Sequence, residues 1–375
     1  MTTLALLLLA PLLWPLVAKW RYKHELTIPE VLLCLAIGLG ITSAGWALGR
    51  FSQVADHEVL NGQVTSKTSE RVSCEHSYQC NCVESCSTDS NGNRSCSTTC
   101  STCYDHSYDV DWLLKTSLSD IKIDRVDRRG LDEPPRFSVA KPGDPVAETS
   151  RYVNYIKGAP DSLFNALSEK QAKERFAAKL PDYPLNVHDY HYLNRVIPVG
   201  VQVPDLAEWN RALALRLREL GPAKQLNLVF VLTNETDPAY ALALRAHWLG
   251  GKKNDVVVVL GTPKYPNIDW VNVISWTDQE LFKVELRDAL LSLKTAAPVP
   301  VLDVVEQHAR KGYVRKPMAD FDYLAYEIEP PDWALALLAL LGLGASLVAT
   351  RYFANNEVRA FSGSWRPNWL LRRRA

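Results

Sequence analysis

The sequence predicts an α/β protein held in a membrane: three transmembrane helices, an extracytoplasmic α/β layered domain and a small disulfide-rich β knob. Three observations predict this. Apolar stretches nearly free of charge lie near both ends of the 375-residue chain. Seven of its eight cysteines fall between Cys74 and Cys103. From about residue 196, β-branched runs alternate with amphipathic helical patterns.

The first apolar stretch, 4–18, is short for a span, but Met1–Thr3 and Trp20 extend it towards the roughly 17–25 residues that cross a bilayer. Pro11 and Pro15 are expected to kink it. The second, 28–48, opens on Thr27-Ile28-Pro29-Glu30, an N-cap, an early proline and a capping-box glutamate. The third, 332–351, follows Pro330-Pro331, with Asp332 as the expected N-cap.

Charge in the short loops sets the expected orientation. Lys19, Arg21 and Lys23 follow the first span. The tail, 352–375, carries Arg359, Arg366, Arg372, Arg373 and Arg374 against one acid, Glu357. Both face the cytoplasm in this reading, which puts the N-terminus and residues 51–331 outside, as in a bacterial inner membrane protein. The competing assignment, a cleaved signal peptide, has no basic residue ahead of its apolar run and would leave the cysteines in the cytoplasm. Trp365, Trp369, Arg366 and Arg372–Arg374 suit a segment on an anionic lipid surface or a plain topogenic anchor. Small residues at helical spacing form three rows: Ala36, Gly40 and Ala44; Gly45 and Gly49; Gly342, Ser346 and Thr350. They predict close packing among the spans, with homo-oligomerisation as the second choice.

Residues 51–112 form the cysteine-rich segment. Cys74, Cys80, Cys82, Cys86, Cys96, Cys100 and Cys103 are separated by Ser, Thr, Asn and Asp. So polar a stretch builds no core, and disulfides are expected to hold it. Asp89-Ser90-Asn91-Gly92-Asn93 is a turn, which predicts a hairpin stapled across its arms. Three disulfides leave one thiol, reactive or paired between chains. The alternative is zinc on Cys100-x2-Cys103 and Cys80-x-Cys82 with His76 or His106, although the spacing fits no ordinary zinc ribbon. A thiol–disulfide active role is weaker, because Cys100-x2-Cys103 opens no helix. Near-repeats at Glu75–Tyr78 and Asp105–Tyr108 are expected to pair at the neck. Asp105, Asp109 and Asp111 add acids there, as a solvated surface or a calcium site.

Residues 113–331 read as the main α/β domain. Strands are expected at 112–114, 121–126, 196–203, 226–233, 256–260 and 270–275. Helices are expected at 162–180, at 206–220 with Asp205 and Glu208 as a capping box, at 238–249 and at 279–293. Gly221-Pro222 is expected to end the second of these and Gly250-Gly251 the third. The loop 132–147 holds four prolines. The valine-rich run 256–260 should be a central strand covered on both faces.

The stretch Asn227–Thr233, then Asp237-Pro-Ala-Tyr240-Ala241, then Trp248-Leu-Gly-Gly-Lys-Lys-Asn-Asp255 and the apolar strand to Leu260, resembles the TPM domain of bacterial envelope proteins. The likeness covers about residues 200–295. It departs from the family in having Asn254-Asp255 where the family has Asn-Gly, and in lacking the family's early acidic motif. The resemblance implies a TPM-like fold in the cell envelope. Some members of the family bind calcium or act as acid phosphatases.

Ligands in open α/β sheets bind at strand ends. Thr233, Asn234, Glu235 and Asp237 follow one strand, and Asn254 and Asp255 precede another. Their oxygens suit Ca²⁺ or Mg²⁺ if the two groups converge; otherwise they are turn and cap residues. His188 and His191 lack a third ligand, and Gly250-Gly251-Lys252-Lys253 ends a helix where a phosphate loop would open one. A net charge of zero argues against a nucleic-acid partner. The expected function is non-enzymatic: a binding or assembly module whose partners are the bilayer and another envelope protein. The alternatives are a Ca- or Mg-dependent phosphatase, thiol chemistry, or a phage or mobile-element envelope protein.

Overall fold

A computed structural model describes residues 2–22, 26–88, 94–164, 166–184, 194–358 and 365–367. In chain order they form α1 (Thr2–Tyr22), α2 (Ile28–Val54), β1 (Ala55–Val72), β2 (Ser77–Thr88), β3 (Arg94–Tyr104), β4 (Asp109–Thr116) and β5 (Ile121–Ile123). Next come α3 (Pro135–Val139), β6 (Pro145–Val153), α4 (Tyr155–Gly158), α5 (Leu167–Phe176), β7 (Val196–Val199), α6 (Leu206–Lys224), β8 (Asn227–Thr233) and α7 (Ala239–His247). The chain continues with β9 (Asp255–Gly261), β10 (Trp270–Ser275), α8 (Glu280–Leu293), α9 (Pro298–Gly312), α10 (Asp332–Asn355), β11 (Asn356–Val358) and β12 (Trp365–Pro367). It divides into two compact units: residues 1–57, 151–170 and 317–375, and residues 58–150 and 171–316.

In the first unit, α1, α2 and α10 are each long and apolar enough to cross a membrane. The α1 helix runs through Pro11 and Pro15. Glu30 accepts the Thr27 backbone N–H at 2.7 Å, as its capping-box position predicts. Asp332 is the first helical residue, with Pro331 at the cap position. The three helices pack through small residues. Gly342, Ser346 and Thr350 are all buried, and the Trp14 indole donates to Thr350 Oγ1 at 3.0 Å. A Cβ on Gly38 would lie 2.5 Å from Ser346 Oγ and 2.8 Å from Pro11 Cβ. The row Ala36, Gly40 and Ala44 is a correction: all three are exposed, and nothing lies within 4 Å of a Cβ on Gly40. The buried stripe of α2 is Val31, Cys34, Gly38, Thr42 and Trp46. Below the helices, Asp56 accepts from Asn154 Nδ2 at 2.7 Å, and the Arg50 guanidinium donates to the Ala325 carbonyl.

The second unit holds two four-stranded sheets. One has the order β5-β4-β1-β6; β4 is antiparallel to β1, with Val72 opposite Asp109. Val64, Leu114, Ile123, Phe137, Ala140 and Val146 form its small core. Strands β2 and β3 extend away as a separate antiparallel hairpin inserted between β1 and β4.

The other sheet has the order β10-β9-β8-β7. Strands β7, β8 and β9 are parallel, and β10 is antiparallel. Every residue of β8 and β9 is buried, because helices cover both faces. Leu228, Phe230, Leu232, Val256, Val258 and Leu260 meet α6, α8 and α9. Val229, Val231, Val257 and Val259 meet α5 and α7. Each such buried side chain contributes about 1.5–3 kcal/mol, so this three-layer core dominates the unit.

Several boundaries differ from expectation. The α6 helix continues through Gly221 and Pro222 to a left-handed Gln225. Glycine is required at 221 because a Cβ there would strike the Asn61 backbone. The helix expected at 162–180 is reduced to 167–176, flanked by short 3-10 turns. The loop 132–147 contains α3 and the start of β6. Strand β1 and helix α9 were not anticipated.

Candidate functional site

The strand-end oxygens that could share a ligand only if they converged lie at opposite ends of the sheet. Asn227 pairs with Asp255 at the start of β8 and β9, and Thr233 pairs with Gly261 at their ends. Seven-residue strands separate the two groups by about 20 Å. At the far end, Glu235 N–H donates to Thr233 Oγ1 at 3.2 Å, and Ala239 N–H donates to Asp237 Oδ1 at 2.9 Å. Asp237 also pairs with Arg175, and Glu235 with Lys179. The Ala239 N–H, then Arg175, hold the Asp237 carboxyl below its ordinary value. These residues are spent on a turn and a cap. The Asn234 amide lies against Gly200, where φ is +67°.

At the near end, Asp255 is fully buried. Desolvation pushes its pKa up, against three hydrogen bonds that favour the carboxylate. Asn227 Nδ2 donates to Oδ1 at 2.8 Å; Tyr183 OH and the Lys252 N–H each donate to Oδ2 at 2.7 Å. Asn254 Nδ2 donates to the Val59 carbonyl at 2.8 Å. Gly250 and Gly251, at φ +76° and +81°, turn the chain from α7 into β9, and Asp255 ties down that turn.

The cysteine segment brings a different set together. Disulfides join Cys80 to Cys103, Cys82 to Cys100 and Cys86 to Cys96, stapling β2 to β3 rung by rung. Cys100 and Cys103 therefore offer no thiolate to a metal, which corrects the zinc set drawn from the sequence. The remaining thiol is Cys74, buried at the end of β1. The near-repeats do meet at the neck, although strand pairing stops at Ser77 and Tyr104; beyond it, Asp105 N–H donates to the His76 carbonyl at 3.1 Å.

At that neck, Cys74 Sγ, a ring nitrogen of His106 and a carboxylate oxygen of Asp109 all lie within 4.8 Å of one another. His106 Nε2 approaches Asp109 Oδ1 to 2.9 Å, yet neither atom makes a well-directed hydrogen bond. Asp109 Oδ2 accepts from the Glu75 N–H and from Arg125 Nη1, each at 3.0 Å. Those contacts, the Glu75 N–H foremost, hold the Asp109 carboxyl below its ordinary value. Cys74 Sγ donates to the His76 carbonyl at 3.4 Å. A cavity of about 470 Å³ opens beside them, lined by Ser73, Cys74, Tyr104, His106 and Ser107. Asp111 is taken up by Lys122 at 2.7 Å and Arg125 at 2.5 Å, and Asp105 by Arg128. The neck acids are thus paired with bases, which does not favour a calcium cage.

The sequence reading singled out His106, but not its grouping with Cys74 and Asp109. The signal available was topological: residues ending β1 must neighbour residues opening β4 once the hairpin between them closes. His188, His191 and Arg372–Arg374 lie outside the described residues. Arg366 lies in β12, opposite Glu357. No family model, curated protein or solved structure matches this chain.

Proposed function

We propose that this is a membrane-anchored binding module, with residues 51–331 outside the cytoplasm and the stapled hairpin as its docking element. The observation that carries the reading is the hairpin itself. It is cross-linked three times, yet buries almost none of its own surface. It leaves Tyr78, Val83 and Tyr104 exposed at 53%, 66% and 55%. Rigid aromatic anchors on a pre-ordered element lose little entropy on binding. The loop charges and the oxidised cysteines support the same sidedness on independent grounds. The TPM resemblance enters as a sequence likeness and adds the cell envelope as the setting. A phosphatase on Thr233–Asp237 with Asn254 and Asp255 has less support, because those groups stand about 20 Å apart and are already hydrogen-bonded.

The test uses the full chain in its host membrane. A cysteine placed at the exposed Ser119 should react with a membrane-impermeant maleimide in intact cells, and one placed at Arg21 only after permeabilisation. A photo-crosslinking residue at Val83 should then give one discrete protein adduct that disappears when the hairpin disulfides are reduced. Reaction at Ser119 only after permeabilisation overturns the sidedness. An adduct that survives reduction, or no adduct in the native membrane, overturns the docking role.

A further inference from the structure

We propose that Cys74, His106 and Asp109 bind a thiophilic divalent transition metal, zinc foremost, at the neck of the disulfide hairpin. This stands apart from the docking reading and rests on different observations.

Chemistry and geometry agree. One sulfur, one imidazole nitrogen and one carboxylate oxygen are zinc ligands, whereas Ca²⁺ and Mg²⁺ take oxygens alone. Zinc bonds of about 2.0–2.3 Å place tetrahedral ligands about 3.3–3.8 Å apart. The three atoms already lie within 4.8 Å of one another; His106 Nε2 and Asp109 Oδ1, now 2.9 Å apart, would part by about 0.4 Å while the wider separations close by about 1 Å. Asp109 is 0% exposed, and its Oδ1 is without a directed hydrogen bond while facing a ring nitrogen equally without one. The two atoms face each other as a close ion pair of poor hydrogen-bond geometry. A metal would replace that pair with a directed bond to each.

Arg125 and the Glu75 N–H occupy Asp109 Oδ2 and leave Oδ1 directed at His106. They fix the ligand from behind, as outer-shell contacts of metal sites do. The positive charge of Arg125 opposes a cation, but Asp111 and Glu75 share that guanidinium and offset it. The fourth position falls to a water in the cavity that Cys74 and His106 line. On binding, the Cys74 thiol proton passes to solvent and the thiolate becomes the ligand.

A nucleophilic Cys–His–Asp arrangement fits less well. The thiol is directed at the His76 carbonyl, not at an imidazole nitrogen, and activation needs the thiol–imidazole contact. Coordination would also protect from oxidation the Cys74 thiolate that three disulfides leave over. The site would clip the end of β1 to the start of β4 where the hairpin leaves its sheet.

The full-length protein in detergent is stripped with chelator and dialysed against Zn²⁺ or Co²⁺ alone. About one equivalent of zinc per chain should remain, and cobalt should show a sulfur-to-metal charge-transfer band. Cys74→Ser should abolish the band, and His106→Gln should weaken zinc binding at least about tenfold. In the unaltered protein, zinc should block alkylation of Cys74 and chelator should restore it, so the result does not depend on how a variant folds. Zinc retention unchanged in Cys74→Ser, cobalt bound without a sulfur band, alkylation indifferent to zinc, or Cys74 found in a disulfide between chains would each overturn the site.

Discussion

Asp255 shows how one residue type serves opposite ends at different places. Buried at the start of β9, its side chain is held in place by three donors and is not a ligand waiting for a cation. Its folded pKa is raised by desolvation, so the sign is the reverse of an ordinary surface aspartate. Its contribution to stability is full below the unfolded value and is lost as pH rises through the folded one. Asp109, Asp127 and Asp237 are shifted down, chiefly by backbone N–H groups of Glu75, Asp132 and Ala239. They stabilise above the ordinary value of 3.8 and lose that contribution as pH falls below it. The two windows do not overlap. Compared with Asp255→Asn by urea unfolding, the unaltered protein should lose relative stability as pH rises from the unfolded value of 3.8 through the folded one. A constant difference over that range would show that Asp255 does not titrate there. Asp255→Ala should destabilise by about 2 kcal/mol or more, because Asn227 and the Lys252 N–H lose their buried acceptor.

At the level of elements, the hairpin and the spans depend on different forces. Strands β2 and β3 expose nearly every side chain, so their order comes from cross-links. A disulfide closing a loop of about 15 residues contributes roughly 3 kcal/mol, and the central bridge spans a sequence separation of 18. Reduction should therefore abolish hydrogen-exchange protection over residues 77–104 and leave residues 227–261 protected. Coincident loss in both would mean that the hairpin and the sheet unfold as one. Among the spans, Gly38→Leu should destabilise the detergent-solubilised protein by about 1–3 kcal/mol, since its Cβ has no room. Gly40→Leu, two residues on, should leave the thermal transition unchanged. Equal effects would refute the assigned packing face. The helices also explain two misses. Pro298 and Pro300 resemble loop residues, but prolines in the first turn give up only N–H groups that have no helical partner. Pro222 likewise sits in α6 because the run before it is already committed by Trp209, Leu213, Leu217 and Leu220.

For the whole molecule, the legible parts were those where one local pattern meets one environment. Apolar length gave the three helices long enough to cross a membrane, and β-branched runs gave β8, β9 and β10 to within a residue or two. Strand β1 escaped because its pattern is mostly polar; its Val64–Val72 half pairs with β4 through backbone bonds, and the strand buries few large side chains. Strand direction carried the largest consequence. With β7, β8 and β9 parallel and adjacent, α6 and α7 cover opposite faces, so one of the two crossovers is left-handed, against a strong general preference. The same parallel pairing sends Thr233 and Asp255 to opposite ends, so the oxygen site that needed the two strand ends to converge does not form. By itself the sequence determined the membrane-length helices, the stapled hairpin with one thiol over, and the apolar strands, because each is written in contiguous residues. Only the tertiary structure decided which helix face packs, which strand ends converge, and that Cys74 meets His106 and Asp109. Those depend on closing long loops, and pairing across thirty residues leaves no mark in local composition.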